Sequence, residues 1–423
     1  MARRRELAAI RAAKARKRRR RRKRIRAAII FIEIFILIML MGTAYVMAKY
    51  DKFQRVDIDK DNIEVNEGIT LEGYTTVALF GGDSREGQLE EGTHADTIII
   101  VSIDNESKEI RMASIYRDTL LKQMNDTYRK ANNAYFVGGP EEAINMLNKN
   151  LDLDIEDYAT VDFKAMSDVV DLMGGIEITV TDAEARMMNK YIGETAKAAD
   201  KEAKELEGAG TYTLDGPQAV TYSRLRKLEG GDYKRTERQR EVIKKLFEKV
   251  TSTDLATINK IIDTVFPQVS TSFSLKKIIG LSSALMDYKL GENAGFPFEK
   301  ADGITYPEAG DVVVAQGLAE NVKELHEFLY PNETVEEVSD TVQMISEEIT
   351  LETGVTRPAE LDAEPEEDSE GTGEDVDSDN DNDNDNDETG GSSYADGGTE
   401  TGDDSGNTGR PYADTADAKF VEE

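Results

Sequence analysis

The sequence predicts an α/β domain, a central mixed β-sheet flanked by helices, set on a single N-terminal transmembrane signal-anchor and followed by a disordered acidic tail. Three observations predict it. The runs Thr75–Phe80, Thr97–Ile103 and Ile110–Ile115 are rich in Val, Ile and Thr, are bounded by Gly, Asp or Asn, and alternate downstream with helical patterns. Residues 27–48 are apolar apart from Glu33, Thr43 and Tyr45. Residues 355–423 hold 24 Asp or Glu against 3 Lys or Arg, with few apolar groups, which is a composition that stays unfolded.

In chain order, residues 1–26 carry 15 Lys or Arg and one Glu. Such a basic flank before an apolar segment stays in the cytoplasm. It reads as a topology determinant resting on anionic lipid, and no nucleic-acid partner is expected. At 1.5 Å per residue, residues 27–48 reach across a bilayer core of about 30 Å. The apolar run exceeds the roughly 7–15 residues of a cleaved signal, and Val46-Met47-Ala48 is a poor cleavage site, so the anchor is expected to stay. Glu33 lies near the cytoplasmic end, where its carboxylate can snorkel to the interface. Residues 49–72 read as a polar extracytoplasmic spacer that lifts the domain off the membrane.

The domain is expected over 73–345, with core motifs in 76–250, and the acidic tail over 346–423. Pro140 opens a helix from Glu141 to about Asn150. Tyr158–Phe163 reads as a strand, Ala165–Met173 as a helix closed by Gly174 and Gly175, and Ile176–Val180 as a strand. Residues 182–208 are helical by propensity and read as a solvated hairpin. Leu214–Val220 reads as a turn and helix start. A helix is expected from near Asp232 to Val250, then helices over Asp254–Val265, Ser274–Met286 and Leu318–Leu329, and a strand over Asp311–Gln316.

Composition narrows the chemistry. There is no cysteine, so no disulfide, thiolate nucleophile or zinc-thiolate site. His94 and His326 are the only histidines, and no Ser-His-Asp set is credible. Three clusters instead abut strand ends: Gly81-Gly82-Asp83-Ser84-Arg85, Ala95-Asp96-Thr97 and Arg117-Asp118-Thr119. Ligands of α/β sheets sit at such ends. Carboxylates suit a hard cation such as Mg²⁺, and guanidinium forks suit phosphate, so acid and arginine together point to a metal-bound diphosphate. The same residues also read as turn caps and salt bridges.

A second cluster, Tyr222 to Arg240, weighs against the structural alternative. Arg224 and Arg226 share a face of an extended backbone, and Arg235 and Gln239 share a face of a helix. Lys234, Arg235 and Arg238 crowd a helix start, where cations are disfavoured unless an anion binds. With its basic head and acidic tail set aside, the chain still carries about −25. An exposed basic face is hard to sustain against that charge.

These motifs, in this order, resemble the LytR-CpsA-Psr family. They are Val77–Arg85, His94–Thr97, Ser114–Thr119, Lys130–Tyr135, Gly138–Glu141, Val161–Phe163, Met173–Ile178, Leu214–Ala219, Tyr222–Arg226 and Arg235–Gln239. The resemblance covers about 76–250. It implies a membrane-anchored phosphotransferase of a Gram-positive-type envelope. Such an enzyme moves a teichoic acid, capsule or related glycopolymer from a polyprenyl-diphosphate lipid to peptidoglycan, with Mg²⁺ or Mn²⁺.

It also implies Asp83 and Asp96 as metal ligands, and Arg85, Arg117, Arg224, Arg226, Arg235 and Gln239 on the diphosphate, with Lys130 and Arg238 as further candidates. Asn132 and Tyr135 would shape the pocket. Arg117 and Asp118 are the catalytic candidates, Asp118 orienting Arg117. The general base is expected to be an Asp near the metal. The sequence departs from the family pattern at Tyr116, where Pro is usual, at His94-Ala95, where Arg-Ser is usual, and at Ala131, where Ile is usual. No charged site residue is lost. A non-catalytic lipid-glycan binder or envelope regulator, or a diphosphate hydrolase, remains the alternative.

Overall fold

Three apolar runs at the centre of the chain become adjacent antiparallel strands, β2 (Tyr74–Gly82), β3 (Ala95–Asp104) and β4 (Glu109–Ile115). Side chains alternate across a strand, so each run feeds two cores. Phe80, Ile98, Ile100 and Ile115 enter one, and Ile99, Val101, Ile103 and Met112 the other. Burial on both faces explains why these runs lack polar alternation. The structure is a computed structural model and describes residues 39–55, 58–82, 92–93, 95–334 and 336–358.

The central sheet has the order β1-β10-β7-β2-β3-β4-β11 among the described residues. The other four strands are β1 (Gln54–Arg55), β7 (Asp157–Asp162), β10 (Val269–Thr271) and β11 (Lys289–Phe296). β2 pairs with β7, β4 with β11 and β1 with β10 in parallel, whereas β2–β3, β3–β4 and β7–β10 are antiparallel. The sheet is therefore mixed, as the sequence predicts.

Helix α2 (Ala131–Leu151) covers the first face with α9 (Leu318–Leu329) and α10 (Asp340–Thr353), through Leu147, Leu325 and Ile345. The expected helix from Pro140 is only the second half of α2. Gly138 and Gly139 break the helical backbone just before the proline, and a first segment begins at Ala131. Helix α10 runs through residue 345, the expected domain end, because Val342, Ile345 and Ile349 complete this core.

A second core gathers Val170, Ile178, Met188, Leu214, Tyr222 and Val242. It is built from α3 (Phe163–Leu172), the antiparallel pair β8 (Ile176–Val180) and β9 (Gly210–Leu214), α4 (Asp182–Ala198), α5 (Gly216–Ser223) and α6 (Gly231–Val250). This corrects the reading of 182–208 as a solvated hairpin. Ala185, Met188, Ile192 and Ala196 recur at helical spacing and are buried, so α4 packs its apolar face inward. The smaller hairpins β5 (Leu120–Lys122) with β6 (Tyr128–Lys130), and β12 (Lys300–Tyr306) with β13 (Gly310–Ala315), flank the sheet.

Residues 49–72, read from sequence as a spacer, pack onto the fold where they are described. β1 adds to the sheet edge, Phe53 stacks on Phe266 with centroids 3.9 Å apart, and buried Tyr50 donates to Phe273 O at 3.1 Å. Most of the span expected over 27–48 lies outside the described residues. Its end is helical as α1, described over 39–50, and meets α7 (Leu255–Val265) through Tyr45 with Asn259 and Lys49 with Asp263. Among the described residues no helix is long and apolar enough to cross a membrane. Residues 359–423, most of the expected tail, also lie outside the described set.

Candidate functional site

Strand register places the predicted clusters on one rim of the sheet. Gly82 lies opposite Ala95, and Ile98 opposite Ile115, so the ends of β2 and β4 meet the start of β3. Gly81 faces Thr97, and a Cβ on Gly81 would sit 2.9 Å from the Thr97 side chain. Only glycine allows this approach beside the site.

Asp96 is the hub. Its Oδ1 accepts from Arg117 Nη1 at 2.7 Å, its Oδ2 from Arg226 Nη2 at 2.7 Å, and its carbonyl from Arg235 Nη2 at 3.0 Å. Asp118 accepts from Arg117 Nε at 3.3 Å and pairs with Lys130 Nζ at 3.0 Å. Asp232, in the first turn of α6, lies 3.0 Å from Arg235, 3.6 Å from Arg226 and 3.9 Å from Arg117. Three carboxylates thus interleave with four cations.

The charges follow from these contacts. Burial by itself raises the Asp96 carboxyl, but Arg226 and Arg117 outweigh it and hold the group below the usual carboxylate value. Burial pulls Arg117 down, yet Asp96 and Asp118 more than reverse this. Arg235 is 2% exposed, and burial brings it down to about 10 against the opposing pull of Asp232, with Arg226 and Arg117 adding to the fall. It remains a cation at neutral pH.

A cavity of about 310 Å³ opens beside this network, with Arg224, Arg226, Lys227, Arg235 and Gln239 on its walls. Arg224 caps the C-terminus of α5, whose start is fixed by a reciprocal Asp215–Gln218 capping box and Pro217. Its guanidinium lies 4.4 Å above the Phe163 ring. Arg235 Nε and Gln239 Oε1 are buried without a hydrogen-bond partner among the described residues. Leaving such a group unpaired costs about 1–3 kcal/mol, and an anion oxygen bound against Arg235 would remove that penalty.

The donor set also fits a hard cation. Asp96, Asp118 and Asp232 are oxygen donors, and the Oδ1 of Asp232 meets Arg235, Arg226 and Arg117. Among those residues no group of three or more Asp, Glu or His is spaced to hold a metal alone. Mg²⁺ needs only one or two carboxylates when phosphate supplies further oxygens.

The structure thus brings together Asp96, Arg117, Asp118, Lys130, Arg224, Arg226, Arg235 and Gln239. Asn132 lies on the far side of Asp96, in a second cavity of about 540 Å³. Asp83, Arg85 and His94 lie outside the described residues. Two candidates are placed elsewhere. Tyr135 is a fully buried core residue, its hydroxyl 2.9 Å from Thr160 Oγ1 and its ring beside Phe80. Arg238 turns to Glu184 Oε1 at 2.9 Å and lines neither cavity, because its guanidinium is held between Glu184 and the Tyr222 ring of α5.

Sequence reasoning missed Asp232 as a partner of three arginines, the aromatic support of Phe163, and Tyr191 and Lys227 on the cavity wall. An acid at a helix start between Gly-Gly and an arginine was the available signal for Asp232.

The model of the LytR_cpsA_psr family matches residues 39–300. Among curated proteins, the chain is 28% identical over 270 residues to the polyisoprenyl-teichoic acid–peptidoglycan teichoic acid transferase TagV of Bacillus subtilis, covering 59% of this chain and 66% of TagV. It is 30% identical over 237 residues to the transferase TagT of the same organism, covering 55% of this chain and 70% of TagT. The fold is similar to a crystal structure of protein gbs0355 from Streptococcus agalactiae, with a TM-score of 0.53 at 22% identity over 65% of this chain and 95% of that one. The chain belongs to the LytR-CpsA-Psr family.

Proposed function

We propose that this chain is a phosphotransferase that moves a glycopolymer from a polyprenyl-diphosphate carrier to peptidoglycan. The observation that carries the reading is Arg235, buried with an unpartnered Nε in the wall of a cavity that also holds Arg224, Arg226 and Lys227. A built, desolvated anion site suits a diphosphate. The similar transferases TagT and TagV, named for polyisoprenyl-teichoic acid and peptidoglycan, suggest the class of donor and acceptor.

In this reading Arg224, Arg226, Arg235 and Gln239 clamp the diphosphate. Asp96 and Asp232 hold the guanidinium planes in place, and Asp118 does the same for Arg117 and Lys130. A sugar hydroxyl oxygen of the acceptor attacks the phosphorus next to the glycan. The bond from that phosphorus to the bridging oxygen breaks, and polyprenyl phosphate leaves with the electron pair. The hydroxyl proton passes to a nearby carboxylate. Such transfer depends on positioning and charge neutralisation. Asp96 and Asp83, the ligands that the family resemblance implies, would hold Mg²⁺, which would supply part of that neutralisation when bound. The apolar segment 27–48 anchors the protein, with the basic N-terminus in the cytoplasm and the domain outside.

The test uses full-length protein in detergent, a polyprenyl-diphosphate glycan and short peptidoglycan strands, with and without Mg²⁺. Mg²⁺-dependent transfer that disappears in Asp96→Ala is the expected result. Release of polyprenyl phosphate with no glycan on the acceptor identifies a hydrolase. Lipid binding with neither product identifies a non-catalytic binder.

A further inference from the structure

Two contacts join the end of α1 to α7. Tyr45 meets Asn259, and Lys49, lying over the Tyr45 ring, pairs with Asp263. The step from one contact to the next is four residues in each helix, in the same direction. One turn of α1 therefore matches one turn of α7, and the two helices run side by side and parallel. The same joint continues along the chain. Lys52 also reaches Asp263 at 2.7 Å, Gln54 Nε2 donates to Pro267 O at 2.7 Å, and β1 pairs with β10. The chain from Tyr45 to Arg55 is thus bound into the fold, where a spacer would have left the domain on a tether.

This register gives the domain an orientation. Met39, Leu40, Met41, Val46 and Met47 are exposed apolar side chains within the apolar run 27–48. Counted from the Tyr45–Asn259 contact, Leu255 at the start of α7 stands level with Met41, and Lys260 with Val46. The α6–α7 turn, residues 251–254, therefore points along α1 toward the bilayer. It carries the hydroxyls of Thr251, Ser252 and Thr253, and Asp254 turns its carboxylate to the N–H groups of Ala256 and Thr257. Ala256 and Lys260 are exposed and four residues apart, so they share the outer face of α7. Hydroxyls and an exposed lysine suit the ester and phosphate groups of phospholipid headgroups, and Tyr45 is a residue of the membrane interface. We propose that the α6–α7 turn and the outer face of α7 rest among the headgroups of the outer leaflet, held there by the α1–α7 joint. The inference rests on the anchored reading given above. It also fixes the reach of the site: α6 spans from Asp232 to Val250, and 18 steps of 1.5 Å hold the diphosphate site within about 27 Å of the membrane contact.

The chain has no tryptophan, so one introduced indole is the only such fluorophore. Full-length protein is reconstituted in vesicles of phosphatidylglycerol and phosphatidylethanolamine, with and without lipid brominated near the glycerol. Met41→Trp probes the anchor, Ser252→Trp and Ala256→Trp the proposed contact, and Leu351→Trp an exposed site on α10 across the sheet. Brominated lipid should roughly halve the emission of the first three and leave Leu351→Trp unchanged. Asn259→Ala combined with Asp263→Lys removes both α1–α7 contacts at surface positions. In that background quenching should persist at Met41→Trp and fall to the Leu351→Trp level at Ser252→Trp and Ala256→Trp. Quenching of Met41→Trp alone overturns the proposal, as does equal quenching of all four, or quenching at 252 and 256 that the double variant leaves unchanged. Should Met41→Trp not be quenched, the anchored reading fails by itself. The contact is then decided by positions 252 and 256: quenching there upholds a lipid-facing turn, and none overturns it.

Discussion

Asp96 Oδ2 and Arg226 Nη2 lie 2.7 Å apart although 130 residues separate them in the chain. With Arg117 on the other carboxylate oxygen, one acid from a strand start orders arginines from a strand end and an interhelical loop. Arginines so oriented are preorganised to meet a diphosphate.

Arg117→Ala and Arg224→Ala are each expected to remove about 3–4 kcal/mol of transition-state stabilisation, by analogy with loss of one oxyanion donor. Transfer then falls about 10²–10³-fold, and neither variant complements a deletion although the protein still reaches the membrane. Normal complementation by both would refute the site assignment.

Arg235→Met separates binding from folding. A polyprenyl diphosphate at about 100 times its Kd stabilises the wild type by about 2.7 kcal/mol. In the variant that gain should vanish, because the buried guanidinium of a residue that lines the cavity is gone. Thermal unfolding with and without the lipid measures it, and an unchanged ligand shift in Arg235→Met counts against the anion site.

His326 sets an acid limit on stability. It is buried, with Nε2 2.8 Å from Leu151 O, and burial holds its pKa below the ordinary value. The unfolded chain therefore binds this proton more readily than the folded one. The contribution is fully present above about pH 6.5 and is lost as pH falls from there through the lower folded value. The unfolding midpoint should drop between pH 7.5 and pH 5. In His326→Gln that drop should be smaller, and an identical pH slope in the two proteins would exclude His326 as a cause.

Gly216→Ala tests the platform under Arg224. A Cβ at position 216 would lie 2.2 Å from the backbone oxygen of Ser167, so overpacking should destabilise by about 1–3 kcal/mol. Gly193→Ala, with nothing within 4 Å inside α4, should be neutral or slightly stabilising. Denaturant titration of both variants gives the comparison.

Much of the fold was legible because its signals are local. The β8 and α9 bounds match the expected Ile176–Val180 and Leu318–Leu329, since apolar period and flanking glycines are written within each segment. The short strand pairs β5–β6 and β8–β9 were not fully read, because three- to five-residue strands with mixed polarity carry little period. The site was legible in part for a similar reason. Asp96, Arg117 and Arg226 stand at turns beside apolar runs, where a charged residue has an exposed end to occupy.

Sequence by itself determined where the longer strands and helices form, that the chain carries an acid-and-arginine chemistry, and which family its motifs resemble. Those properties depend on residues within a few positions of one another. Only the tertiary structure decided that Tyr135 belongs to the core, that Arg238 serves Glu184, that Asp232 joins three arginines, and that α4 walls the anion cavity. Each depends on which face of one element meets another far along the chain. That choice is made by burial of both sheet faces and by the pairing of buried charge, which a local pattern does not encode.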